Sequence, residues 1–125
     1  MTTRDVYDRH MRHELGGDLD TILSDYAPDA IVATPDGIGS GHHYIRQSYE
    51  RLLPLISSLE LTSSIQVRGE VLYLTFRAHR DGTDELIGTD TFVIHDDFIH
   101  MHTFYGTRPS PTADDRREHL GYVDF

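Results

Sequence analysis

The fold is decided by residues 88–107, which read GTDTFVIHDDFIHMHTFYGT. Two runs rich in β-branched and aromatic residues, which favour strands, flank the turn-forming pair Asp96-Asp97. This spacing predicts two antiparallel strands that are joined by a two-residue hairpin turn. If Asp96 and Asp97 form the turn, His95 pairs with Phe98, and the pairing along both strands follows from that contact.

The pairing predicts which side chains share one face of the sheet. The more apolar face carries four expected pairs: Ile94 with Ile99, Phe92 with Met101, Asp90 with Thr103, and Gly88 with Tyr105. We interpret this face as the concave, buried side, with His100 and His102 on the opposite face. Asp90 is then the one carboxylate on an otherwise apolar inner surface. The alternative is an Asp90 that faces solvent or caps backbone amides in a bulge.

The segments before this hairpin extend the same sheet. Strands are predicted near four segments: 58–68, 70–80, 85–95 and 98–107. Short connections between long strands imply an antiparallel meander. On the second strand one face is shared by Leu72, Leu74, Phe76 and Ala78. A three-residue loop over 81–83 would place Leu74 beside Asp90.

The first half of the chain carries three helical patterns. Helices are predicted over 4–15, over a short segment that Asp18 caps, and over about 42–53, where Pro54 closes the third helix. A strand over 30–34 and a turn-rich loop over 35–41 lie between the second and third helices. This order predicts an α+β fold: a cone in which a curved, mainly antiparallel (mixed) sheet and three N-terminal helices enclose an apolar pocket.

Length and composition restrict the class of protein. A chain of 125 residues, 38% of them hydrophobic, predicts one domain over 1–125, with a core of about 4–107 and a polar tail over 108–125. The net charge is −10 and lysine is absent, so neither nucleic acid nor a membrane surface is an expected partner. Cysteine is absent too, which excludes disulfides and thiolate metal sites and fits a cytoplasmic location.

Nine histidines raise the question of a metal site. His100 and His102 have the two-residue spacing that can start one, but a third ligand must converge on them. Because the sequence does not show that convergence, we predict no metal and no cofactor.

Three stretches resemble the nuclear transport factor 2-like superfamily, in particular its SnoaL-like and ketosteroid-isomerase branches. Residues 17–30 hold Gly-Asp-Leu-Asp and Tyr-Ala-Pro-Asp-Ala, residues 41–49 hold Gly-x-x-x-Ile-Arg-x-x-Tyr, and residues 88–106 end in Thr-Phe-Tyr-Gly. The resemblance spans about residues 4–107. It implies a cone whose pocket lies between the first helix and the concave sheet. It also implies a homodimer, for which we expect the outer sheet face to be the interface.

The resemblance also implies roles for single residues. Thr34 stands where ketosteroid isomerases carry an aspartate base, so that base is missing here. His10 stands at the position of a tyrosine that donates to the reacting oxyanion, and Asp90 at that of a protonated aspartate donor. Gly106 stands where related epoxide hydrolases usually carry an aspartate.

We therefore predict a SnoaL-like small-molecule enzyme that performs proton-transfer chemistry, isomerisation or cyclisation, on an apolar oxygenated substrate. His10 and Asp90 would be the catalytic residues. The predicted substrate-binding residues are Thr34, Tyr105, Phe92, Met101, Leu74 and Phe76. The alternative is a non-catalytic ligand-binding or dimeric scaffold protein of the same fold, in which His10 and Asp90 only hydrogen-bond each other.

Overall fold

A computed structural model describes residues 1–109. The helices are α1 (Thr3–Gly16), α2 (Leu19–Leu23) and α3 (His42–Ile56). The strands are β1 (Tyr26–Thr34), β2 (Gly37–Ser40), β3 (Glu60–Arg68), β4 (Val71–Arg80), β5 (Thr83–His95) and β6 (Phe98–Thr107). They form one mixed sheet in the order β2-β1-β6-β5-β4-β3, in which only the β1–β6 pair is parallel. The predicted α+β fold, with three helices and a curved mixed sheet, is confirmed.

The ends of the first helix follow the local sequence. The Thr2 hydroxyl accepts a hydrogen bond from the Asp5 N–H at 3.0 Å, and the Asp5 carboxylate accepts one from the Thr2 N–H at 3.0 Å. This reciprocal pair satisfies two N–H groups that a helix start leaves without partners. Gly17 ends the helix with φ 74°, a left-handed conformation that glycine adopts without strain.

Two expectations in the first half are wrong. Pro54 does not close α3, which continues to Ile56; the Ser57 N–H donates to the Leu53 carbonyl at 2.9 Å and closes the last turn around the proline. The turn-rich loop over 35–41 contains the short edge strand β2, which pairs with the end of β1. The sequence did not predict β2 as a strand because it is only four residues long and two of them are glycines.

The meander from β3 to β6 is confirmed, and so is the position of Leu74 beside Asp90. The route to that pairing differs from the expected three-residue loop. Arg80 pairs with Thr83 across a two-residue turn, and the pairing shifts by one residue between Ala78 and His79. The shift supplies the offset that the longer loop was expected to provide.

A second shift, in β6, overturns the expected facing of that strand. Ile94 pairs with Ile99 as predicted, but Val93 pairs with Met101, so β6 carries one extra residue at His100. Beyond this bulge every β6 side chain lies on the face opposite to the one predicted. Met101 and Tyr105 therefore belong to the outer face, while His102 turns inward and is buried.

The core lies between the helices and the concave face of the sheet. α1 contributes Val6 and Tyr7, and α3 contributes Ile45 and Tyr49. The sheet contributes residues that are less than 6% exposed: Val32, Leu72, Leu74, Phe76, Ala78, Phe92, Ile94 and Ile99. The expected inner face of β4 is thus confirmed. Of the predicted tail over 108–125, only Arg108 and Pro109 lie within the described residues.

The close approach of β5 to β6 at Gly88 gives a test of the observed register. A Cβ at Gly88 would lie 1.9 Å from the Tyr105 carbonyl oxygen, so Gly88→Ala should lower the free energy of unfolding by about 1–3 kcal/mol or more. Gly16→Ala is the control, because no atom lies within 4 Å of its added Cβ. Urea denaturation measures both; a Gly88→Ala protein as stable as the wild type contradicts the register.

Candidate functional site

An apolar cavity of about 400 Å³ lies between α1, α3 and the concave face of the sheet. Its wall includes Leu74, Phe76, Phe92 and Phe104 from the strands and Tyr7 from α1. A second cavity of about 370 Å³ opens between α3 and the ends of β1 and β6, and His102 and Phe104 line both. The volumes are those of small-molecule sites, which are mostly apolar with a few polar groups in the wall.

The polar groups in the strand wall of the larger cavity are Asp90 and His102. His102 Nε2 lies 2.8 Å from Asp90 Oδ1, and the two side chains are 9% and 15% exposed. The Phe92 ring stacks on the imidazole with the ring centroids 4.0 Å apart. Asp90 therefore is a half-buried carboxylate on the concave surface, as expected, but with a histidine partner that was expected on the other face.

Behind His102 a hydrogen-bonded chain runs into the core. His102 Nδ1 lies 2.9 Å from Tyr26 Oη, which lies 2.8 Å from Tyr49 Oη. Tyr49 Oη lies 3.0 Å from His10 Nε2 and donates to Glu14 Oε1 at 3.0 Å. The chain thus connects groups on β6, β1, α3 and α1.

His10 is fully buried and lines neither cavity. The His10 ring forms hydrogen bonds with Asp25 and Tyr49, not with Asp90. The direct hydrogen bond between His10 and Asp90 that the structural alternative implied is therefore absent. The chain through Tyr49, Tyr26 and His102 links the two residues instead.

Asp25 anchors the far end of the chain. Its carboxylate, 1% exposed, receives hydrogen bonds from Arg9 at 2.9 Å, His10 at 2.9 Å and His13 at 2.8 Å. Burial alone would raise the pKa of Asp25, but the hydrogen bonds and charges of His10 and His13 outweigh it and hold the pKa below 3.8. Asp25 is therefore a buried anion that is paired with one arginine and two histidines.

The tyrosines of the site remain protonated across the physiological range. Burial, followed by the charge of Glu14, raises the pKa of Tyr26 and of Tyr49 well above 10.0. Burial, followed by the charge of Asp90, raises the pKa of Tyr7 to about 12. Each hydroxyl can therefore donate one hydrogen bond and accept others.

The structure distributes the predicted substrate-binding residues unevenly. Leu74, Phe76 and Phe92 line the larger cavity. Thr34 lines the smaller one, and its hydroxyl accepts a hydrogen bond from the Asp36 N–H at 3.1 Å. Met101 and Tyr105 line neither cavity, because the β6 bulge turns both to the outer face.

Sequence reasoning missed several polar residues of the site. Glu14 of α1 lines the larger cavity as a second carboxylate, opposite the sheet surface on which Asp90 lies. The spacing of Glu14 from His10, four residues along one helix face, was the available signal. No sequence signal gave a polar role to Tyr26 or Tyr49, and Asp25 has none of the periodic neighbours that reveal a buried position.

Two features are absent from the described part of the chain. Among residues 1–109, no group of three or more histidine, aspartate or glutamate side chains is arranged to hold a metal ion. Within the same residues, no helix is both long enough and apolar enough to cross a membrane.

The sequence matches no protein-family model, and a comparison with curated proteins gives no match. The fold, in contrast, matches many solved structures. An NTF-2 like protein of unknown function from Burkholderia xenovorans LB400 aligns with a TM-score of 0.70 and 17% identity over 93% of this chain and 91% of that one. A SnoaL-like protein of unknown function from Burkholderia thailandensis E264 aligns with a TM-score of 0.67 and 15% identity over 84% and 94%.

A third similar structure is an enzyme. SalBIII, an epoxide hydrolase/cyclase-like enzyme with a role in pyran ring formation in the polyether salinomycin, aligns with a TM-score of 0.68 and 12% identity over 84% of this chain and 90% of that one. These likenesses show that the chain has the NTF2-like fold, the fold of SnoaL-like proteins, as the sequence resemblance implied.

Because Asp25 is ionised in the folded protein, the free energy of unfolding should fall at acid pH, where this carboxylate becomes protonated. Because the pKa of Asp25 is lower in the folded protein than its ordinary value of 3.8, the unfolded chain takes up this proton first. The stabilisation is complete above pH 3.8 and is lost as the pH falls through the folded-state value. Asp25→Asn should lower stability at pH 7 by about 3–5 kcal/mol, because it leaves His10 buried beside a neutral group.

Denaturant titrations at pH 7 and near pH 3 measure this dependence. The difference in stability between wild type and Asp25→Asn should be smaller near pH 3. Asp29→Asn, at an exposed position of β1, is the matched control and should follow the wild type at both values. An equal difference at the two pH values would show that the Asp25 charge does not stabilise the fold.

Proposed function

We propose that this chain is a SnoaL-like small-molecule enzyme that transfers protons on an apolar oxygenated substrate, in an isomerisation or cyclisation. The observation that carries the proposal is the Asp90–His102 pair, joined at 2.8 Å in the wall of an apolar cavity of about 400 Å³. A carboxylate and an imidazole in contact can remove a proton from carbon and return it to carbon or oxygen. The likeness to SalBIII, a cyclase-like enzyme, supports this class of chemistry.

The proposed roles differ from those that the sequence suggested. Asp90 contacts the substrate, and His102 holds its proton or gives one up. His10 is a positioning residue, since it is buried in the core and reaches the cavity through its polar neighbours Tyr49 and Glu14. Leu74, Phe76 and Phe92 form the apolar surface on which the substrate lies.

Proton transfer is tested with small cyclic β,γ-unsaturated ketones, in which the C=C double bond is not conjugated with the carbonyl. Isomerisation to the conjugated ketone is followed by ultraviolet absorbance, and exchange of the hydrogens next to the carbonyl with D₂O by NMR. Asp90→Asn and His102→Gln should each lower the rate about 10²–10⁴-fold, because each removes one half of the acid–base pair. Asp29→Asn is the control and should keep the wild-type rate.

A non-catalytic ligand-binding or scaffold protein is the second candidate. It is favoured by Thr34, because the hydroxyl at the position of the family base is occupied by a turn hydrogen bond. In that case Asp90→Asn and Asp90→Leu would change the binding of an apolar ketone without any effect on proton exchange. Exchange no faster than in buffer, for the wild type and for both variants, would overturn the enzyme proposal.

We also propose that the outer face of the sheet joins two copies of the chain. This face carries large hydrophobic side chains that are 37–70% exposed: Ile31, Ile38, Tyr73 and Tyr105. A charged side chain introduced on this surface should prevent dimer formation, since charged residues are depleted in the cores of interfaces. Light scattering should give a dimer for the wild type and a monomer for Tyr73→Glu. The exposed α1 variant Leu15→Glu is the control, and a monomeric wild type would contradict the proposal.

A further inference from the structure

Glu14 is a second carboxylate in the cavity wall, and the proposed reaction does not yet use it. Its side chain is 16% exposed and accepts a hydrogen bond from Tyr49 Oη at 3.0 Å. His10 Nε2 lies 3.6 Å from the same oxygen. Two groups of the buried core thus hold this carboxylate at the cavity.

Glu14 and Asp90 are the two ends of one hydrogen-bonded path, which we name the relay. From Glu14 the relay passes through Tyr49, Tyr26 and His102 to Asp90. Its four links measure 3.0, 2.8, 2.9 and 2.8 Å. Both ends face the cavity, whereas the two tyrosines between them are at most 4% exposed.

The donors and acceptors of the relay allow two arrangements of hydrogens in which all four hydrogen bonds are formed. In the first, the Asp90–His102 pair holds one proton and Glu14 is ionised. His102 Nδ1–H then donates to Tyr26, Tyr26 donates to Tyr49, and Tyr49 donates to Glu14. Every link carries one hydrogen.

In the second arrangement the proton is on Glu14. Glu14 donates to Tyr49, Tyr49 to Tyr26, and Tyr26 to His102 Nδ1, while His102 Nε2–H donates to an ionised Asp90. Again every link carries one hydrogen. The two arrangements therefore differ only in the direction in which the hydrogen bonds run along the path, and so in which end holds the proton. In both, the His10 ring keeps the same two neighbours, Asp25 at Nδ1 and the Tyr49 hydroxyl at Nε2.

We propose that Glu14 is a second catalytic residue, and that the relay returns a proton from Asp90 to Glu14 through the core. This inference rests on the proposed function. Asp90 removes a proton from a carbon beside the carbonyl, and the electron pair of that C–H bond forms the enolate. Glu14 then gives its proton to another carbon of the enolate, which restores the carbonyl with the double bond moved. Asp90 now holds one proton and Glu14 none. The Tyr26 and Tyr49 hydroxyls turn towards Glu14 and His102 changes its tautomer from Nε2–H to Nδ1–H, which gives the first arrangement. Transfer of one proton along each of the four links then restores the start.

The relay is tested by long-range ¹H–¹⁵N NMR of the labelled chain, which reports whether His102 Nδ1 carries a proton. Glu14→Gln cannot take up the proton, so it should shift the Nδ1 signal towards its protonated position. The same substitution should have no effect in a Tyr26→Phe background, because the path is cut there. Tyr73→Phe removes a hydroxyl from the outer sheet face and should leave the Glu14→Gln effect intact.

Tyr49→Phe cuts the neighbouring link and serves if Tyr26→Phe does not fold. An unchanged His102 signal in Glu14→Gln, or an equal shift in the cut background, would overturn the relay. The ketone assay separates this result from the proposed function. If proton exchange depends on Asp90 but His102 is not coupled to Glu14, the relay is overturned and the proposed function stands. If His102 is coupled to Glu14 but no exchange occurs, the hydrogen-bonded path stands and the catalytic roles of Asp90 and Glu14 are both overturned.

Discussion

The extra residue at His100 decides which side chains of β6 face the cavity. The Ile99 N–H donates to the Asp25 carbonyl at 2.8 Å, so the start of β6 is fixed to the chain just before β1. Farther along, Met101 pairs with both Ile31 and Val93. His100, between these fixed points, has no pairing partner in a neighbouring strand. The bulge at this residue turns the His102 side chain inward. Without it, Met101 would take the place of His102 opposite Phe92, and the imidazole would lie on the outer face.

Asp25 contributes twice to this arrangement. Its backbone carbonyl holds the start of β6, and its buried carboxylate holds Arg9, His10 and His13. A buried anion is costly unless it is paired, and the three donors of α1 supply that pairing. The same contacts fix the ring of His10, and through it the Tyr49 hydroxyl. One residue before β1 therefore positions polar groups on both sides of the core.

Local patterns were enough to predict most of the fold. The three helices, the meander and the position of Leu74 beside Asp90 all follow from neighbouring residues and from alternation along strands. The site was less accessible, because the facing of β6 depends on a contact between Ile99 and Asp25 that is distant in sequence. The prediction that Asp90 faces inward is correct, because side chains of β5 alternate between the two faces without interruption where it pairs with β6. The prediction that Met101 and Tyr105 face inward is wrong, because the bulge in β6 interrupts that alternation.

The polar groups of the site sit on strands and helices, not on loops. Asp90 lies on β5 next to Leu74, and His102 pairs in register with Phe92, whose ring stacks on it. Groups that are held by neighbouring strands keep their separation more strictly than groups on loops, as acid–base chemistry requires. Asp90 and Glu14 both face this apolar cavity, and each carboxylate costs desolvation there unless it is paired. His102 pairs with the first and Tyr49 with the second, so both are held in place by groups that can also carry a proton.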